Sequence, residues 1–202
     1  MKRIMAVLSV VLVLVIGLSA GCAKKVVTRV DPTTVIDLSG YWNDTDSRLV
    51  AEEMIADCLS RPWRGRHVDK HGKRPVVIVG QIANKTTEHI ATTTFISDIE
   101  RAFINSADVE VVAGSEERGQ VRDEREDQQV FSSPETAKQW GKEKGADYMM
   151  SGIISSITDE EDGKKVVFYQ VDLTLIHLQD NTKVWLGQKK IKKFIGRGKY
   201  KG

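Results

Sequence analysis

The chain has 202 residues, 41% hydrophobic and 29% charged, with 30 Lys+Arg against 28 Asp+Glu and two cysteines. That is enough for one ordinary domain, and the composition excludes general disorder, a collagen-like repeat, a polytopic membrane protein and a disulfide scaffold. Lys2 and Arg3 account for the whole net charge of +2, so the remainder balances at 28 basic against 28 acidic residues and offers no basic domain of the kind that binds nucleic acid.

Met1-Lys2-Arg3 leads into an apolar run from Ile4 to Leu18, interrupted by Ser9 and Gly17, and then into Ser19-Ala20-Gly21-Cys22. A charged start, an apolar run of about fifteen residues and a small-residue exit describe a secretory signal over 1–21, not a membrane span of about 20 apolar residues. The exit also resembles a bacterial lipobox, with Ser19 where Leu is usual. That resemblance implies cleavage before Cys22 and lipidation of its sulfur, and Ala23 in place of Asp implies sorting to the outer membrane. Two or more acyl chains make such an anchor stable. Residues 22–37 are polar and aperiodic, a tether reaching at most ~50 Å, and the globular domain is expected over 38–202.

Within Asn43 to Ser47 lie several N-cap candidates, after which Leu49, Val50, Met54, Ile55, Cys58 and Leu59 share a helical face. Arg61-Pro62 ends that helix, and Cys58 reads as a buried free thiol. Residues 61–74 carry six Lys/Arg, two His and two Gly and read as a basic loop. Val76 to Gly80 is a buried strand, and Asn84 to His89 a loop. Thr92 to Thr94 cap a helix that turns Phe95, Ile96, Ile99, Phe103 and Ile104 inward, and Val109 to Val112 form a second strand. Residues 116–129 hold six acids and three bases and form a solvated helix or a loop. Ser133-Pro134-Glu135 opens a helix that stops near Gly145.

Three β-rich runs follow, Tyr148 to Ile157, Val166 to Leu178 and Lys183 to Phe194, with turn-like connections at 159–164 and 179–182, an antiparallel meander. In the middle run Val167, Tyr169, Val171, Leu173 and Leu175 share one face, while Gln170, Asp172 and Thr174 lie on the other; one face is core, the other wet. The order predicts a single α+β domain with one mixed sheet flanked by helices.

No chemistry stands out. His67 and His71 have i,i+4 spacing but no third ligand follows at a metal-site spacing, and these two with His89 and His177 read as solvated loop histidines. Gly196-Arg197-Gly198 lacks the context of a phosphate loop, and no nucleophile–base pair is visible. Asp159 to Asp162 read as a solvated acidic turn. The expectation is no catalytic residue, no metal and no cofactor. Charge is nonetheless segregated: the basic 61–74 segment and the stretch from Lys189 to Lys201, with seven Lys/Arg and no acid, contrast with the acidic 116–127 segment. Such patches suit electrostatic recognition of a partner, with Arg64, Arg66, Lys70 and Arg74 as candidate contacts.

Several blocks carry a resemblance: Val35-Ile36-Asp37-Leu38-Ser39-Gly40-Tyr41-Trp42-Asn43-Asp44-Thr45-Asp46-Ser47-Arg48, then Arg74-Pro75-Val76-Val77-Ile78-Val79-Gly80 with Asn84 to Ile90, Gly145 to Gly152, and Val184-Trp185. Over about 35–195 they resemble the outer-membrane lipoprotein activators of class A penicillin-binding proteins (LpoB-like). The resemblance implies a fold similar to the N-terminal domain of TolB, and a non-enzymatic lipoprotein that binds a periplasmic docking domain of a bifunctional peptidoglycan synthase and stimulates it. The enterobacterial members of that family carry a much longer tether. An alternative class is a periplasmic lipoprotein assembling an export or envelope complex, similar to the lipoprotein of curli secretion, although no segment offers the long alternating hairpins of a membrane barrel.

Overall fold

The computed structural model describes residues 26–133, 136 and 143–196. The signal segment, Cys22, the helix expected after Ser133 and the end of the basic tail lie outside them. The chain divides into Met1–Thr34 and Val35–Gly202, so Val35, Ile36 and Asp37, read as tether, belong to the second unit.

Helix α1 (Asp44–Ser60) starts where Asn43 caps it: the Asn43 side chain accepts from the Asp46 N–H, and Asp46 accepts from the Asn43 N–H, both at 3.0 Å. Asp44 and Asp46 also place negative charge on the first turn, where the helix dipole favours it. Its buried stripe is Val50, Ala51, Met54, Ile55 and Cys58. Leu49, expected inside, is 46% exposed. The basic segment is not a loop. Helix α2 (Trp63–His71) begins after Pro62 and stops at left-handed Gly72 (φ 64°), whose N–H bonds the Val68 carbonyl. Trp63 and His67, one turn apart, are its buried residues, and the cations face outward.

Strand β1 (Val76–Lys85) leads to α3 (Thr92–Ser106), which buries Phe95, Ile99 and Phe103. Ile104 is instead 58% exposed, and the N-cap is Ala91 with no side-chain cap, not a threonine. Strand β2 (Glu110–Val111) is two residues long. Helix α4 (Ser115–Phe131) resolves the charged segment as a solvated helix with no buried residue.

Strands β3 (Tyr148–Glu161), β4 (Lys164–His177) and β5 (Lys183–Ile195) complete one sheet in the order β2-β1-β3-β4-β5. Strand β1 runs parallel to both neighbours, and the last three strands are antiparallel. This is the mixed sheet and meander the pattern predicts. The β3–β4 turn is tighter than expected: Asp162 and Gly163 both have positive φ (49° and 72°), the two-residue geometry that suits strand twist. Glu160 and Glu161 therefore sit on β3 opposite Lys165 and Lys164, not in a free acidic loop.

Helices α1 and α3 pack on one sheet face, enclosing Val77, Ile82, Met150, Ile154, Val171, Leu173, Leu175 and Trp185. The other face is wet. There Asp172 accepts from Gln170 and Gln188, both at 2.8 Å, and the same face carries exposed Ile153, Ile157, Leu186 and Phe194.

Candidate functional site

Two polar constellations stand out. The first is built from the Asp37–Ser47 stretch. The Lys193 ammonium on β5, with a side chain only 10% exposed, reaches Asp46 Oδ2 at 2.6 Å, Asp37 Oδ1 at 2.7 Å and the Tyr41 carbonyl at 3.1 Å. Asn43 Nδ2 donates to the same Asp37 oxygen at 2.7 Å. Trp42 donates its indole N–H to Ser47 (2.8 Å) and its backbone N–H to Glu88 (3.1 Å), and Glu88 accepts from the Tyr169 hydroxyl at 2.5 Å. The Trp42 ring meets Phe95 and Tyr169 edge-on at 6.1 and 5.6 Å. Burial and the Glu88 carboxylate push the Tyr169 phenol far up, so it stays a donor. The most distinctive block of the sequence is thus a clamp that fixes the entry of the chain to β4, β5 and the β1–α3 loop.

The second constellation lies around α2. Of the four candidate contacts, Arg64 is ion-paired with Asp108 and Arg74 donates to the Ala107 carbonyl at 2.9 Å. These two tie α2 and its exit to the α3–β2 corner. Arg66 and Lys70, one helical turn apart, are exposed and make no ion pair among the described residues. The four are therefore not one equivalent patch.

Beside Arg66 and Lys70, a cleft of about 230 Å³ opens between α2 and the β4–β5 turn, with His71, Tyr148, His177 and Thr182 also on its walls. Its rings run in contact: His71 to His67 at 4.6 Å, His67 to Tyr148 at 5.4 Å and Tyr148 to His177 at 5.1 Å. His67 is a buried helical residue, not a solvated loop histidine, with its side chain 1% exposed. Its Nδ1 lies 3.1 Å from the Tyr148 hydroxyl, while Nε2 makes no hydrogen bond and sits 3.6 Å from Asp147 Oδ2. Burial holds this imidazole below its ordinary pKa, partly offset by Asp147. The carboxylate favours the ring proton on Nε2, which makes Tyr148 the donor to Nδ1. Burial and Asp147 raise the Tyr148 phenol as well.

His177, at the end of β4, contacts Asp180 Oδ1 through Nδ1 at 2.9 Å, and Asp180 also accepts the Thr182 N–H at 3.0 Å. The Thr182 bonds and the His177 bond hold Asp180 down to about 2. His89 is exposed in the β1–α3 loop, apart from the cleft lining. The sequence reading missed this cluster; the signal that could have found part of it is the Trp63/His67/His71 spacing, i to i+4 to i+8, one face of a helix, and nothing in that spacing points to His177. Among the described residues, no three His, Cys, Asp or Glu are arranged to hold a metal. The arrangement offers outward cations and imidazoles rather than a nucleophile with its base.

A family model, peptidoglycan-synthase activator LpoB, matches residues 46–191. No curated protein matches by sequence. Among solved structures, the chain is similar to the LpoB C-terminal domain from Salmonella enterica at 14% identity, covering 73% of this chain and 99% of that one, with a TM-score of 0.41. It is similar to E. coli LpoB at 13% identity, covering 87% and 84%, with a TM-score of 0.41. For lipoprotein GNA1162 from Neisseria meningitidis the values are 12% identity, 62% and 88% coverage and a TM-score of 0.39.

Proposed function

The chain belongs to the peptidoglycan-synthase activator LpoB family, and from that premise we propose that it is a non-enzymatic lipoprotein that binds a class A penicillin-binding protein and raises its synthetic rate. The family match over 46–191 is the observation that carries this reading. In it, Cys22 is the acylated N-terminus of the mature protein, held in the outer membrane and facing the periplasm. Ile36 and Asp37 are engaged by Asn43, so the free tether is Cys22 to Thr34, at most about 45 Å when extended. The synthase's docking domain must then come within that distance, plus the width of the folded domain, of the membrane surface.

The outward face of α2 is the proposed contact, with Arg66 and Lys70 meeting an acidic surface. Arg64 and Arg74 contribute by holding the helix in place. Exposed charge of this kind sets encounter rate and specificity, so binding weakens as salt shortens the Debye length below about 10 Å.

The test uses purified chain and the class A synthase of the same organism. Added at saturation, the chain should raise the rate of glycan polymerisation while showing no turnover alone. An unchanged rate sinks the activator reading. Stimulation that survives reversal of Arg66 and Lys70 to Glu sinks only the α2 surface. For the anchor, mass spectrometry of membrane-extracted protein should find a chain beginning at acylated Cys22; an intact 1–21 segment refutes it.

A further inference from the structure

The cleft beside α2 has features that docking to a protein surface does not require. Its donors come from two directions. Arg66, Lys70 and His71 approach from α2, and His177 and Thr182 approach from the other wall. Neither Arg66 nor Lys70 is neutralised by an ion pair among the described residues. His177 has its Nδ1 on Asp180, which leaves Nε2 as the ring nitrogen available to an incoming ligand. The Asp180 carboxylate also lines the cleft; its Oδ1 contacts His177 and accepts from the Thr182 N–H, and its charge opposes an anion that the Arg66 and Lys70 cations attract. At the base, His67 is buried with Nε2 unbonded, and Tyr148 is kept neutral.

We propose that this cleft binds a phosphoryl group, seated between Arg66 and Lys70 on one wall and His177 with Thr182 on the other. A guanidinium fork, an ammonium and imidazoles converging from opposite sides match an acceptor with three oxygens better than a planar carboxylate with two. The half-open cleft leaves room for whatever the phosphoryl group is esterified to. The chemistry is shared by free phosphate and by the phosphate of an anionic lipid headgroup. Arg66 and Lys70 are also the proposed synthase contact, but the phosphate titration needs no synthase, so its failure leaves the activator reading standing.

The test is a titration of the purified chain with inorganic phosphate at constant ionic strength, followed by NMR of the histidine ring protons. His71 and His177 should shift together and saturate, with His89 unmoved. The double variant Arg66→Gln/Lys70→Gln should weaken the constant at least about tenfold, whereas Lys190→Gln/Lys192→Gln on β5 should not. A second arm uses phosphatidylglycerol vesicles against phosphatidylcholine vesicles. Capture by the former that phosphate competes away, and that the α2 double variant loses, assigns the lipid headgroup; phosphate binding without capture assigns the free ion. Non-saturating shifts, shifts shared by His89, or equal loss in both double variants overturn the proposal. If the α2 variant unfolds, titrating the wild type with acetate in place of phosphate at the same ionic strength still decides: acetate must bind more weakly, and equal binding overturns the proposal.

Discussion

Replacing Lys193 by Met removes the cation at the centre of the N-terminal clamp and leaves its stem in place. Asp46 is 9% exposed and keeps only the Asn43 N–H on the oxygen that Lys193 bonded. Removing one partner of a buried ion pair costs about 3–5 kcal/mol. The surviving hydrogen bond lowers that figure, and Asp37, 47% exposed, adds little because solvent screens it. The expected loss is about 2–4 kcal/mol, or about 5–15 °C in Tm for a domain of this size. Urea titration followed by tryptophan fluorescence measures it. A loss under about 1 kcal/mol would show that the clamp is a surface ornament and refute the reasoning. The pH dependence gives a second check. Desolvation pulls the Lys193 pKa down, but its hydrogen bonds to Asp37 and Asp46 outweigh that and leave it raised above 10.5. A raised folded value means the contribution is whole below 10.5 and is lost as pH climbs through the folded pKa. The gap between wild type and variant should therefore stay level across neutral pH and close only in strong alkali.

Tyr169→Phe deletes the donor to Glu88 and should cost about 1–3 kcal/mol by the same titration; no change would mean that Glu88 is satisfied by the Trp42 N–H alone. Gly152→Ala places a methyl 2.5 Å from the Asp172 carbonyl oxygen and closer still to Leu173, so it should destabilise by about 1–3 kcal/mol or more; a neutral result would mean that β3 and β4 separate freely there. Burial pushes the Cys58 thiol up to about 12, so in a Cys22→Ala chain a thiol reagent should react only as the domain opens; fast native labelling contradicts its placement. Asp180, held down to about 2, stabilises its turn above pH 3.8 and loses that as pH falls toward 2; Asp180→Asn should remove this acid-side transition and loosen the His177 ring, read by NMR.

Patterns with a short repeat were legible in the sequence. The alternation of Val167 to Leu175 gave both faces of β4, and the i,i+3/i+4 spacing after Asn43 gave the buried stripe of α1. Helix α2 was hidden because Gly65 lowers helix propensity, like charges repel in a 61–74 segment with six cations, and only Trp63 and His67 are buried from it; a contact between these two and Tyr148 outweighs both. The cleft was less legible still. His67 and Tyr148 are 81 positions apart, and no local spacing joins them. The clamp divides in the same way: Asn43 with Asp46 is a readable capping box, whereas Lys193 lies 147 positions beyond Asp46.

That last separation bears on the order in which the domain assembles. The β3–β4 hairpin closes through a two-residue turn and needs little loop entropy, so it can form early. The clamp joins residues near 40 to residue 193, and the cost of that closure falls last, once the sheet has brought β5 into place. Lys193 should accordingly have a φ-value near zero: its loss speeds unfolding and leaves the refolding rate nearly unchanged. The clamp then acts as a latch on lifetime rather than a guide to folding, set at the point where a pull on the N-terminal segment first reaches the folded domain.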